Sequence, residues 1–94
     1  MKMTRTDKKL ANLGFEKLKE TRFCVEYSRK RDTYHQTVCI LHKQHGPAIL
    51  QSYDPDLLDG KRIGNTCVGL TEQETRLFAR KMREYRRKPP KEET

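Results

Sequence analysis

Between Leu70 and Lys88 the apolar residues recur with the period of a helix. At ~100° per residue, Leu77, Phe78, Met82 and Tyr85 fall on one side of that helix. Arg76, Arg80, Arg83 and Arg87 fall in a narrow stripe on the opposite side. Thr71 followed by Glu74 forms a capping box that predicts the helix start, and Pro89-Pro90 predicts its end. The pattern predicts a long amphipathic helix that docks through one face and presents arginines on the other. A second, shorter helix is predicted over Asp7 to Leu13, where Leu10 and Leu13 stand three apart. Thr6 is its candidate N-cap and Gly14 its stop.

Period-two patterns fill the middle of the chain. Phe15 to Glu20 alternates weakly and reads as a first strand. In Phe23 to Ser28, the apolar Phe23, Val25 and Tyr27 alternate with smaller or polar residues, as a half-buried strand requires. Arg29-Lys30-Arg31-Asp32 then reads as a basic loop. Thr33 to His42 carries the strongest strand signal, being rich in β-branched and aromatic residues. Its run Val38 to Leu41 is apolar on both faces, which places it centrally. Lys43 to Pro47 is a turn marked by Gly-Pro, and Ala48 to Tyr53 returns as another strand. Asp54 to Asn65 is long for a connection. Asp54-Pro55 gives it an N-cap and first-turn proline, so one helical turn through Leu57 and Leu58 is expected, stopping at Gly60. Thr66 to Gly69 adds a short edge strand. The order predicts one small α+β domain over residues 7–88. It comprises an antiparallel sheet of three to five strands, a short N-terminal helix and a long C-terminal amphipathic helix, with the helices on one face. Residues 1–6 and 89–94 are expected to be flexible ends.

Composition narrows the possible partners. Ninety-four residues with 33% hydrophobic content make one domain with a small core, better suited to a surface groove than to a large cavity. A formal charge of +8 favours nucleic acid, an acidic protein or anionic lipid. Both signs are mixed along the chain, unlike a disordered basic arm. Three widely spaced cysteines, Cys24, Cys39 and Cys67, form no disulfide framework and point to reduced thiols and a cytoplasmic location. No apolar run is long enough for a signal peptide or a membrane span, so no membrane association is expected.

Candidate chemistry rests mainly on the arginine stripe. A guanidinium presents a planar fork of donors to phosphate or carboxylate. Arg76, Arg80, Arg83 and Arg87 are therefore the candidate anion-binding residues, with Lys81 and Arg86 at the margins. Glu72 and Arg76, four apart, also form a helix-surface pair. In Gly60-Lys61-Arg62-Ile63-Gly64-Asn65, the glycines free the backbone, and Lys61 and Arg62 supply charge, without the spacing of a P-loop. Cys39, His42 and His45 form Cys-x-x-His-x-x-His. On a strand, however, Cys39 and His42 point to opposite faces, so no zinc site is expected there. His35 or His42 could serve as a general base beside Tyr34 and the basic loop. Asp54, Asp56 and Asp59 lack the spacing of a calcium loop. No metal, cofactor or catalytic constellation is expected.

The succession of Leu10-to-Phe15 helix and glycine stop, basic hairpin and final amphipathic helix resembles the α-β-β-β-α order of double-stranded-RNA-binding folds. It is similar also to small RNA-cleaving toxins built on that fold and, in general character, to short proteins of bacterial and phage genomes. The RNA-binding members carry a lysine cluster at the start of the last helix, where this chain has Thr71-Glu72-Gln73-Glu74. The toxins carry a histidine next to glycine and serine in the first hairpin, where it has Glu20-Thr21-Arg22-Phe23. No functional residue is carried over. The reading that emerges is a basic, non-catalytic cytosolic binding module whose anionic partner is DNA or RNA. The alternatives are a module for an acidic protein and a small metal-independent ribonuclease.

Overall fold

The structure is a computed structural model and describes residues 3–42, 47–57 and 67–87. The elements are α1 (Arg5–Asn12), β1 (Glu16–Glu20), β2 (Cys24–Lys30), β3 (His35–Leu41), β4 (Ile49–Tyr53), a 3₁₀ turn (Pro55–Leu57) and α2 (Glu72–Arg87). The four strands pair in chain order as an antiparallel meander. The α+β fold expected from the sequence is thus present, with one strand more than the α-β-β-β-α order. The expected edge strand at 66–69 reduces to one bridge between Cys67 and Tyr53 and a bond from Val68 N–H to the Ser52 carbonyl. The turn expected at 43–47 lies almost wholly outside the described residues. No described helix is long and apolar enough to cross a membrane.

α1 begins earlier than its pattern suggested. Its N-cap is Thr4, whose hydroxyl accepts from Asp7 N–H at 3.2 Å, while the Asp7 carboxylate accepts from Thr4 N–H at 3.1 Å. This is a capping box closed by aspartate in place of glutamate. Thr6, expected to be the cap, is instead buried in the first turn and donates to Glu84 at 2.6 Å. The helix therefore takes in Arg5 and Thr6, which were expected to be flexible. Gly14 ends it as expected, with φ 97°. Gly14 N–H reaches the Ala11 carbonyl at 2.9 Å and Phe15 N–H the Leu10 carbonyl at 3.0 Å, a helix stop of the kind that glycine favours. A β-carbon there would lie 3.2 Å from Arg29 Cδ. α2 starts at the expected box. Thr71 N–H donates to Glu74 at 2.9 Å, and Glu74 N–H to Thr71 Oγ1 at 3.1 Å.

The helices cover one face of the sheet. Val25 and Tyr27 of β2 stand opposite Ile40 and Val38 of β3, and all four are buried with Leu10, Phe15, Phe78 and Tyr85. Phe78 meets Phe15 edge-on at 5.2 Å and Tyr27 at 5.4 Å, a geometry that aromatic quadrupoles favour. Leu77 and Met82 pack at the margin of this core, as their helical positions require. Phe23 does not belong to it. It precedes β2 in a turn held by Thr21 and is about half exposed.

The inner face also holds charge. Asp7 accepts from the Tyr27 hydroxyl at 2.6 Å and from Lys17 at 2.8 Å, and Lys81 stands 3.3 Å away. Both ammonium groups also reach Glu20, at 2.9 Å and 3.2 Å. Two carboxylates and two ammonium groups thus form a compensated cluster joining α1, β1, β2 and α2. Burial alone would raise the Asp7 carboxyl. The Lys17, Tyr27 and Thr4 hydrogen bonds and the Lys81 charge outweigh burial and hold it at about 2. A depressed carboxyl stabilises the fold above its unfolded value, near 3.8, and that contribution is lost as pH falls through the folded value. Urea titrations between pH 5 and pH 2 should therefore show about 2 kcal/mol of stability disappearing through Asp7. An Asp7→Asn variant should show a correspondingly flatter acid profile.

Candidate anion-binding face

α2 projects Arg76, Arg80 and Arg83 away from the sheet because Glu74, Phe78, Lys81 and Tyr85 occupy its buried side. The three exposed arginines follow one another at intervals of four and three residues, so they line one side of the helix. At ~1.5 Å per residue they span about 10 Å. With Lys9 of α1 they border an open groove of about 530 Å³, whose floor includes Leu77 and Ala79. Glu72 lies at one end and pairs with Arg76 at 2.6 Å, both side chains being more than three-quarters exposed. Such a pair is weak in water, so an incoming anion can take over the Arg76 guanidinium.

The sequence-predicted site residues divide into three groups. Arg76, Arg80 and Arg83 come together as expected. Lys61 and Arg62 lie outside the described residues, and so does the side chain of Arg87, the last residue of α2. Lys81, expected beside the stripe, is instead 2% exposed and committed to Asp7 and Glu20. Its helical angle places it between Leu77 and Tyr85 within the apolar arc, and that was the signal of its burial. Arg86 is exposed.

The expected basic loop also changes. β2 runs on through Lys30, and Arg29 points inward. Its guanidinium pairs with Glu74 at 2.7 Å, donates to Gln36 at 2.7 Å and to the Leu13 carbonyl at 3.1 Å, and lies 4.0 Å from the centre of the Phe15 ring. Burial raises the Glu74 carboxyl, but the Thr71 backbone bond and Arg29 outweigh this and leave it below the usual range. Arg29 is therefore structural. Lys9 joins the groove through the packing of α1 on α2, and no local pattern in the sequence marks it.

His45 lies outside the described residues, and His35 and His42 occupy separate faces. His42 stacks on Tyr85 at 3.8 Å and 6°, and burial together with the Arg86 charge lowers its pKa. His35 lies on the sheet face away from the helices. Its Nε2 is 2.8 Å from Ser28 Oγ, and its Nδ1 is 3.6 Å from the exposed Asp56 carboxylate. This is the order of a serine–histidine–acid relay, with the acid beyond hydrogen-bond range. Asp54 caps the 3₁₀ turn, accepting from Asp56 N–H at 3.0 Å, as expected of an aspartate before proline. Comparison of the chain with protein families, curated proteins and solved structures finds no match, so its functional reading rests on the geometry of the site.

Proposed function

We propose that the protein binds the phosphate backbone of a nucleic acid through the groove between α1 and α2. The observation that carries this is the convergence of Lys9, Arg76, Arg80 and Arg83 on one open groove, while the neighbouring cations Arg29 and Lys81 are internally neutralised. Guanidinium groups spread over about 10 Å suit a short run of consecutive backbone phosphates. Among the described residues, the groove lining holds no aromatic side chain on which a base could stack. Contacts to phosphate alone fix position and carry no sequence information. The binding is accordingly sequence-independent and strongly salt-dependent.

Fluorescence titration with labelled single- and double-stranded DNA and RNA at 50 mM and 200 mM salt tests the reading. Affinity should fall at least tenfold between the two, and an Arg76→Gln, Arg80→Gln, Arg83→Gln variant should bind at least tenfold more weakly at 50 mM. Absence of binding at low salt would contradict it, and a protein complex that survives nuclease treatment would point to an acidic protein instead. A second reading, RNA cleavage, has the His35–Ser28 hydrogen bond in its favour. RNA cleavage that His35→Ala abolishes would support it, and cleavage that persists in that variant would remove it.

A further inference from the structure

The sheet face away from the helices carries a second cluster, chemically unrelated to the arginine groove. Cys24 and Glu26 alternate on β2, so both project to this face, and Cys39 of β3 stands directly opposite Glu26. The two thiol sulfurs are 3.3 Å apart. The two sulfurs and a Glu26 carboxylate oxygen all lie within 4.8 Å of one another. Cys39 is buried, while Cys24 and Glu26 are half-buried, leaving the cluster open to solvent on one side.

From this geometry we infer that Cys24, Glu26 and Cys39 form a binding site for a thiophilic divalent cation, of which zinc is the prime candidate. Zinc takes thiolate sulfur at ~2.3 Å and carboxylate oxygen at ~2.0–2.2 Å, in tetrahedral geometry. Two such thiolates stand roughly 3.8 Å apart, so the sulfurs need separate by only a few tenths of an ångström. The carboxylate closes on the same centre by side-chain rotation. Binding displaces one proton from each thiol, with no change of oxidation state. β2 and β3 are paired along their full length, so the ligands come from rigid strands. Three protein ligands leave the fourth position, on the solvent side, for water or an exogenous donor, the pattern of an open zinc site. Among the described residues, Lys19, cross-strand from Glu26 on β1, Tyr53 on β4 and Tyr85 on α2 are titratable groups that interact electrostatically with the cluster. The soft sulfur pair selects against magnesium and calcium, which prefer oxygen.

The test is titration of the reduced, metal-free protein with Co2+ under anaerobic conditions, followed by displacement with Zn2+. One equivalent of Co2+ should give thiolate-to-cobalt charge-transfer absorption that Zn2+ abolishes. Cys24→Ser should lower the affinity at least tenfold and weaken the band per bound cobalt. Glu26→Gln should lower the affinity at least tenfold while keeping the band. Both positions are only half-buried, so these two variants carry the test even where Cys39→Ser fails to fold. Cys67→Ser should bind as the parent does. No charge-transfer band at 1 mM Co2+, a band undiminished in Cys24→Ser, or formation of a Cys24–Cys39 disulfide without metal uptake would overturn the assignment.

Discussion

Replacing Asp7 with alanine should cost about 3–5 kcal/mol, the effect of removing one partner from a buried ionic cluster. The side chain is 1% exposed and holds four groups at once: Thr4 N–H, the Tyr27 hydroxyl, Lys17 and Lys81. Its loss removes the carboxylate half of the α1 capping box, the Thr4 N–H bond, and deprives the Tyr27 hydroxyl of its acceptor. Glu20 then faces, without Asp7, two ammonium groups that are each about 5% exposed or less. A domain of this size is stable by roughly 5–10 kcal/mol, so the variant should be marginal or unfolded at 37 °C. Chemical denaturation of Asp7→Ala beside Lys8→Ala checks this. The exposed neighbour should stay within about 0.5 kcal/mol of the parent. A loss below 1 kcal/mol at Asp7 would mean that water or rearranged side chains replace the carboxylate cheaply.

Arg29→Met should be of similar severity, about 3–5 kcal/mol. Methionine keeps the apolar stem over Phe15 but leaves Glu74 without its cation, and the Gln36 and Leu13 carbonyl oxygens without a donor. Arg29→Lys should also lose most of this stability. One ammonium group cannot reproduce a planar fork that serves three acceptors while stacking on a ring. The double variant Arg29→Met, Glu74→Gln should be less damaged than the two single losses added together, because no buried charge then lacks its partner. Equilibrium unfolding across this double-mutant cycle reads the coupling directly, and strict additivity would show that the two residues act independently.

Much of the fold was legible because its signals are local. The Thr71–Glu74 box, the Gly14 stop, the α2 apolar arc and the alternation Val25–Tyr27 each depend on residues a few positions apart. The misreadings at Arg29 and Lys81 share one physical cause: a charge was taken as a sign of exposure. The β2 alternation Val25, Tyr27, Arg29 and the β3 alternation Gln36, Val38, Ile40 continue inward through polar residues whose partners are distant in sequence. Lys81 and Glu74 likewise sit inside the apolar arc of α2, and their burial becomes affordable only when Asp7, Glu20 and Arg29 arrive from other elements. For the site, the arginine stripe was readable from helical spacing alone. Lys9 was not, because its place depends on how α1 packs against α2. The Cys24–Glu26–Cys39 cluster depends on strand register, which the spacing of the cysteines does not reveal.

The cations divide into those neutralised inside the fold and those available to an anion. The slope of log binding constant against log salt, measured for the parent and for the Arg76→Gln, Arg80→Gln, Arg83→Gln variant on one oligonucleotide, tests that division most directly. Each phosphate contact contributes about 0.7–0.9 to the slope. The variant's slope should therefore be shallower by about 2–3, with its unfolding midpoint unchanged. An unaltered slope in a folded variant would contradict the account, because the counterions would then be released from some other surface.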